Sequence, residues 1–196
     1  MKYFFALSIS LISLCGSAQQ KKPAEISGAW YDWTKTLKPE KPWILDYSQT
    51  VVMKLFLCSR DSVGNVKHVY LDFAGALNEI KKIDQLTLGI PKIVYLVGWQ
   101  FTGHDAGYPS WAVVNERLKR PQDSTALQSL HWLIKEAKKY HTVVSLHINM
   151  IDAYKNSPLW NTYLGKNIII KNKNGEPIPG EIFDGMQSYQ ISYARE

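Results

Sequence analysis

"KIVYLVGWQFTGHDAGYP", residues 92–109, opens as an unbroken apolar run and closes on Trp99, Gln100, His104, Asp105 and Tyr108. A short continuous apolar run suits a strand buried on both faces, as in a parallel sheet. Its end carries side chains that bind and orient polar ligands. In α/β folds, function gathers where parallel strands end and the loops to the next helix begin. The stretch therefore predicts a strand over 92–98 followed by a functional loop.

Beyond the loop, the spacing predicts a helix. Asp123 or Ser124 caps it, Leu127, Leu130, Leu133, Ile134 and Ala137 line one face, and Gln128, Lys135, Lys138 and Lys139 point outward. "TVVSLHIN" (142–149) follows as a second strand. Strand, long loop, helix and strand make a βαβ unit. Strand alternation puts Val144, Leu146 and Ile148 on one face and Ser145, His147 and Asn149 on the other. With helices outside, the second set faces a barrel interior, with His147 and Asn149 near its open end. Asp152 and Tyr154 follow in the next loop.

Working outward, "TVVMKLFLCS" (50–59) and "VKHVYLDF" (66–73) read as strands around a turn at "DSVGN". Leu77, Ile80, Ile83 and Leu86 recur at near-helical spacing over 75–88, closed by Gly89 and Pro91. Residues 19–50 hold Pro23, Pro39 and Pro42, which argue against a long helix. Trp30, Trp33 and Trp43 there either pack on something larger or form a sugar-stacking surface. Residues 165–190 read as a hairpin-like insertion, "IIIKN" and "EPIPGEIF" around the turn "NKNG".

The first 18 residues read as a secretory signal peptide: Lys2, an apolar run from Tyr3 to Leu14, then "CGSAQQ" with Gly16 and Ala18 at the spacing a signal peptidase accepts. The apolar part falls short of the about 20 residues that span a bilayer. The expected location is secreted, periplasmic or cell-surface, after cleavage near Ala18; membrane attachment is expected only if Cys15 is lipidated instead. Cleavage after Ala18 leaves 178 of the 196 residues and moves the formal charge from +6 to +5. That excess is dispersed, as in "KKP" (21–23) and "EIKKI" (79–83), rather than striped on one face, so no nucleic-acid partner is expected. Cys58 is then the lone cysteine and reads as a small buried hydrophobe. His104, Asp105 and His147 are metal-ligand types without the tight spacing of zinc hydrolases. No metal and no cofactor is assigned. Gly-x-Gly-x-x-Gly, phosphate-loop and Gly-x-Ser-x-Gly motifs are absent, so nucleotide and serine-hydrolase readings lack their usual support.

"KIVYLVGWQFTGHDAGYPSWAVVN" (92–115) together with "LIKEAKKYHTVVSLHINMIDAY" (133–154) resembles the start of the catalytic barrel of endo-α-N-acetylgalactosaminidases, glycoside hydrolase family 101. The resemblance covers about residues 90–160 and weakens beyond. It implies an exported retaining glycosidase on a (β/α)8 barrel that releases galactosyl-β-1,3-N-acetylgalactosamine from Ser or Thr of mucin-type glycoproteins. By similarity, Asp105 with His104 holds sugar hydroxyls, Asn149 and Asp152 border the site, and Trp99 and Gln100 shape it. A retaining mechanism needs two carboxylates about 5 Å apart. In the family these lie on later strands, so no catalytic residue is identified in this chain, and Glu181, Asp184 and Glu196 match no catalytic motif.

A (β/α)8 barrel takes about 250 residues. The expected organisation is therefore a signal peptide (1–18), a β-rich lead-in with one helix (19–88), and the first part of a barrel (89–196), with three of eight strands in a truncated chain. Two other classes stand beside this reading. One is a non-catalytic secreted carbohydrate-binding protein or inactive truncated relic; the other is a small secreted α/β protein whose mouth residues are structural.

Overall fold

The computed structural model describes residues 47–104 and 107–192. The expected signal peptide, Cys15, the tryptophans at 30, 33 and 43, Asp105 and Glu196 lie outside the described residues.

A parallel sheet forms the centre, in the order β1 (Val51–Phe56), β4 (Lys92–Val97), β5 (Thr142–Leu146). Between β1 and β4 the chain makes an antiparallel hairpin, β2 (Cys58–Arg60) and β3 (Val66–Val69), and then helix α1 (Phe73–Leu86). The long loop after β4 leads to α2 (Ala126–Ala137), which returns the chain to β5. This is the β/α alternation expected from sequence, and it supplies three parallel strands. The stretch assigned to a lead-in needs correcting. Val51–Phe56 lies within residues 19–88, yet it pairs with β4 along its whole length, from Val51 with Lys92 to Phe56 with Val97. Its alternation of Met53 and Leu55 with Lys54 and Phe56 is that of a sheet strand with one face on helices.

The register sets out both faces. Met53, Val94 and Val144 form one row and Leu55, Leu96 and Leu146 the next. All six join the core made with Phe73, Ala76, Leu77 and Ile80 of α1 and Leu130, Leu133 and Ala137 of α2. Burying such side chains contributes about 1.5–3 kcal/mol each, which holds both helices to one face. The opposite face carries Lys54, Phe56, Tyr95, Ser145 and His147. Ile93 and Tyr95 are only half-buried, so β4 is not covered on both sides as its composition suggests.

Helix ends follow local chemistry. The Asp72 carboxylate accepts from the Gly75 N–H at 2.7 Å and starts α1. Leu88 and Gly89 take positive φ and end it. Leu86, expected on the apolar face, is exposed in the last turn of α1. The cap of α2 is Thr125 in a capping box with Gln128, instead of Asp123 or Ser124. The Asp123 carboxylate is already occupied by the Arg120 guanidinium at 2.8 and 2.9 Å and the Ser129 hydroxyl at 2.7 Å. The helix therefore begins two residues later than an Asp123 cap would start it, and Leu127 is exposed.

After β5 the pattern changes. β6 (Asp152–Tyr154), β7 (Pro179–Phe183) and β8 (Met186–Gln190) form an antiparallel sheet in the order β6-β8-β7, with the short α3 (Trp160–Gly165) beside it. A second core of Ala153, Tyr163, Ile168, Ile169 and Ile191 lies beneath. The hairpin expected around "NKNG" forms as a short one, the bridge between Lys171 and Pro177 being flanked by bonds from Asn172 N–H to Glu176 O at 2.8 Å and from Ile178 N–H to Ile170 O at 2.9 Å; the longer ladder is β7–β8, turning at Asp184 and Gly185. Asp152, expected in a loop, is the first residue of β6.

Candidate functional site

Gly98 turns the chain out of β4 with φ of 84°. A side chain there would stand 2.8 Å from the Cys58 carbonyl oxygen, so the loop leaves the sheet in contact with β2 backbone. Its stem closes on itself. Phe101 N–H donates to Val113 O and Asn115 N–H to Trp99 O, each at 2.9 Å. Gly98 also breaks the alternation, and Trp99 swings into the core with 4% of its surface exposed. The indole N–H donates to the His147 carbonyl at 2.8 Å, while His147 N–H donates to Leu96 O at 3.0 Å. Both backbone groups of His147 are thus tied to β4 and its loop, which fixes where the imidazole sits.

The loop's far side is pinned to the second core. Tyr154 N–H donates to Tyr108 O at 2.8 Å, the Trp111 indole N–H donates to the Tyr163 hydroxyl at 3.1 Å, and the Ser157 hydroxyl donates to Pro109 O in a short bond. Tyr108, Pro109 and Trp111 therefore hold the loop down.

Rings gather over the ends of the parallel strands. The His147 ring is 5.5 Å from His104 and 6.4 Å from Tyr95, nearly parallel to the latter. His104 lies 5.7 Å from Phe56, Phe56 lies 5.5 Å from Tyr70, and Tyr70 lies 4.4 Å from His68. The Lys54 ammonium stands 5.6 Å from the Tyr95 ring centre. Such a surface offers apolar ring faces beside imidazoles, each of which when neutral carries one donor and one acceptor. It can lie against the apolar face of a sugar while bonding its hydroxyls. Among the described residues, no group of three His, Cys, Asp or Glu side chains converges as a metal would require.

The candidate residues separate into three groups. His104 and His147 come together in the ring cluster. Asn149 and Asp152 come together with each other, the Asn149 amide donating to the carboxylate at 2.9 Å, and Asn149 Oδ1 accepts from Ile151 N–H at 2.8 Å. Asp152 faces a cleft of about 480 Å³ that it shares with Ile151, Ile170, Glu181 and Phe183 of the antiparallel sheet region. Trp99 and Gln100 sit beneath the loop. The Trp99 ring is buried and supports the site from below; it does not cover a ligand. Gln100 is fully buried, and its amide has no partner among the described residues. Reading from sequence missed Lys54, Phe56, His68, Tyr70 and Tyr95. Period-two alternation over Met53–Phe56 held the signal for the first two, once that strand is placed in the sheet.

Cys58 lies under this loop as a structural group. Its thiol donates to Gly98 O at 3.3 Å and accepts from the Asn115 amide at 3.1 Å. Burial pushes the thiol up to about 11, against the opposing pull of the Asn115 bond. Since the thiolate is the nucleophile, peptide mapping after iodoacetamide at pH 8 is expected to find Cys58 unmodified in the folded chain and modified in urea. Modification in the folded chain would contradict the buried placement.

Residues 59–191 match the family model described as endo-alpha-N-acetylgalactosaminidase, a span wider at both ends than the 90–160 resemblance seen in the sequence. Among solved structures, the ligand-free alpha-N-acetylgalactosaminidase NagBb from Bifidobacterium bifidum is similar at 13% identity and a TM-score of 0.54, over 73% of this chain and 23% of that one. The complex of that protein with GalNAc is similar at 11% identity and a TM-score of 0.57, with the same coverage of each chain. At such identities the likeness concerns the fold, and this chain spans about a quarter of the length of those structures. With the family model matching well over half of its residues, the chain belongs to the endo-α-N-acetylgalactosaminidase family of glycoside hydrolases.

Proposed function

We propose that the ring-lined ends of β1, β4 and β5 bind an O-linked glycan containing N-acetylgalactosamine. The substrate is galactosyl-β-1,3-N-acetylgalactosamine on Ser or Thr of a mucin-type glycoprotein. The observation that carries the reading is the His104 and His147 pair, flanked by Phe56 and Tyr95 where parallel strands end. The three parallel strands are then the first of a (β/α)8 barrel, in an exported enzyme whose leader is cleaved near Ala18.

His147 serves as a fixed partner for a sugar hydroxyl, with Trp99 holding its backbone. His104, beside Asp105, approaches the same hydroxyls from the loop. Asn149 and Asp152, paired with each other beside the cleft of the antiparallel sheet, take the more distant part of the glycan. Retaining hydrolysis needs a nucleophile and an acid/base carboxylate about 5 Å apart, and these are expected on barrel strands later than the three present here. A binding protein without hydrolytic activity is the second reading. It is favoured by the ring cluster itself, whose described members include no carboxylate.

Calorimetric titration of the chain with the disaccharide tests the binding step. Saturable binding is expected, weakened about tenfold by His147→Ala, the scale of one lost buried hydrogen bond with its ring contact. Binding indifferent to His147→Ala would remove the site from this surface. Release of an aryl group from the aryl α-disaccharide separates the enzyme from the binding protein.

A further inference from the structure

The sheet face turned away from the helices is read in rows: Val52, Ile93 and Val143; then Lys54, Tyr95 and Ser145; then Phe56 and Val97, with His147 beside them. Lys54 is the one fixed charge in those rows. Some cations elsewhere in the described fold pair with carboxylates, and Lys81 and Lys155 lie over the Tyr140 and Tyr189 rings as Lys54 does over Tyr95. Lys92 pairs with Asp84, Arg120 with Asp123, Lys82 with Glu79 and Lys139 with Glu136. Lys54 has no carboxylate partner among the described residues, and its contact is the Tyr95 ring at 5.6 Å. A ring face attracts an ammonium without consuming its three N–H donors. Tyr95 in turn stacks on His147 with 18° between planes. A ligand resting on His147 and Tyr95 therefore meets, at its edge, an exposed ammonium whose donors bond no described protein group.

We infer that Lys54 makes this site select an anionic glycan, one whose sugar carries a sulfate or a carboxylate. The inference rests on the carbohydrate-binding reading above and specifies its substrate class. Charge-assisted bonds are shorter and about twice as strong as neutral ones, so the ammonium distinguishes an anionic oxygen from a hydroxyl at the same place.

The test is a titration of the full chain with neutral galactosyl-β-1,3-N-acetylgalactosamine and with its 6-O-sulfated counterpart. The sulfated sugar is expected to bind about tenfold tighter at low salt. The gap should narrow at about 1 M salt, where the screening length is about 3 Å. Lys54→Arg should keep the preference and Lys54→Gln should remove it, with a melt of each variant confirming that the fold persists. Equal affinity for the two sugars, or a preference that survives Lys54→Gln, overturns the inference while binding of the neutral sugar leaves the carbohydrate reading intact. Binding of neither sugar overturns both.

Discussion

Asp84→Asn is expected to destabilise the fold by about 3 kcal/mol, the scale set by leaving one member of a buried ion pair without its partner. Lys92 opens β4 with its side chain fully buried, and its ammonium is 2.6 Å from Asp84 Oδ1. The Ile90 carbonyl at 2.6 Å and the Thr87 hydroxyl at 3.4 Å complete its surroundings. An amide at position 84 keeps the shape but leaves the ammonium facing only neutral acceptors. In a domain of this size the loss corresponds to about 10 °C in Tm. Replacing both partners with apolar residues, Lys92→Met with Asp84→Leu, is expected to recover most of the loss, because no charge then remains buried. A double variant no more stable than Asp84→Asn would show that packing, rather than the orphaned charge, sets the cost.

The same pair gives a pH dependence with a definite sign. The Lys92 hydrogen bond, reinforced by His141 at 3.1 Å and opposed by desolvation, holds the Asp84 carboxyl below the ordinary carboxylate range. A group whose folded value is depressed binds its proton more readily when unfolded. Its contribution is therefore fully present above its unfolded value, about 3.9, and is lost as pH falls from there through the folded value. Melts below about pH 4 should show this loss in the parent chain and a weaker acid dependence in Asp84→Asn.

The βαβ core was legible in the sequence because its patterns are dense. "KIVYLVG", the apolar stripe of Leu130, Leu133 and Ala137, and "TVVSL" each match one period over several residues. The facing of the loop residues after Gly98 was not legible in the same way. A positive φ there rotates the next residue, so Trp99 goes into the core while the rings on the open side come from Phe56 of β1, Tyr95 of β4, Tyr70, His104 and His147. The two Gly-containing turns near the C-terminus show a similar limit. Asn174-Gly175 and Asp184-Gly185 both have the composition of a two-residue hairpin turn. Asp184 and Gly185 both take positive φ, 47° and 84°, the combination that matches strand twist, and a ladder grows from them. At Asn174-Gly175 the glycine alone does so, and Pro177 and Pro179 then withhold ladder donors. Composition could not choose between them; backbone angles do.

Gly98→Ala is expected to damage stability and sugar binding together. A non-glycine residue at a φ of 84° carries strain of about 1–2 kcal/mol. The added carbon would also lie 2.8 Å from Cys58 O and 3.1 Å from Cys58 N, both backbone atoms. That backbone is held in place: Leu57 N–H donates to Val97 O at 2.9 Å, and Leu57 O accepts from Tyr70 and Leu71 N–H at 2.8 and 3.1 Å. The loop, rather than β2, must then shift, for a total cost of about 3 kcal/mol. Its movement would shift His104, which rides on the loop, against His147, which follows β5 and is held to Leu96 of β4. The same change at Gly165 serves as the control, since nothing lies within 4 Å of its new carbon. Gly165→Ala should melt within about 0.5 kcal/mol of the parent and bind sugar as well. If Gly98→Ala matched that control in melt and titration, the close approach of the loop to Cys58 would not be what positions the ring cluster.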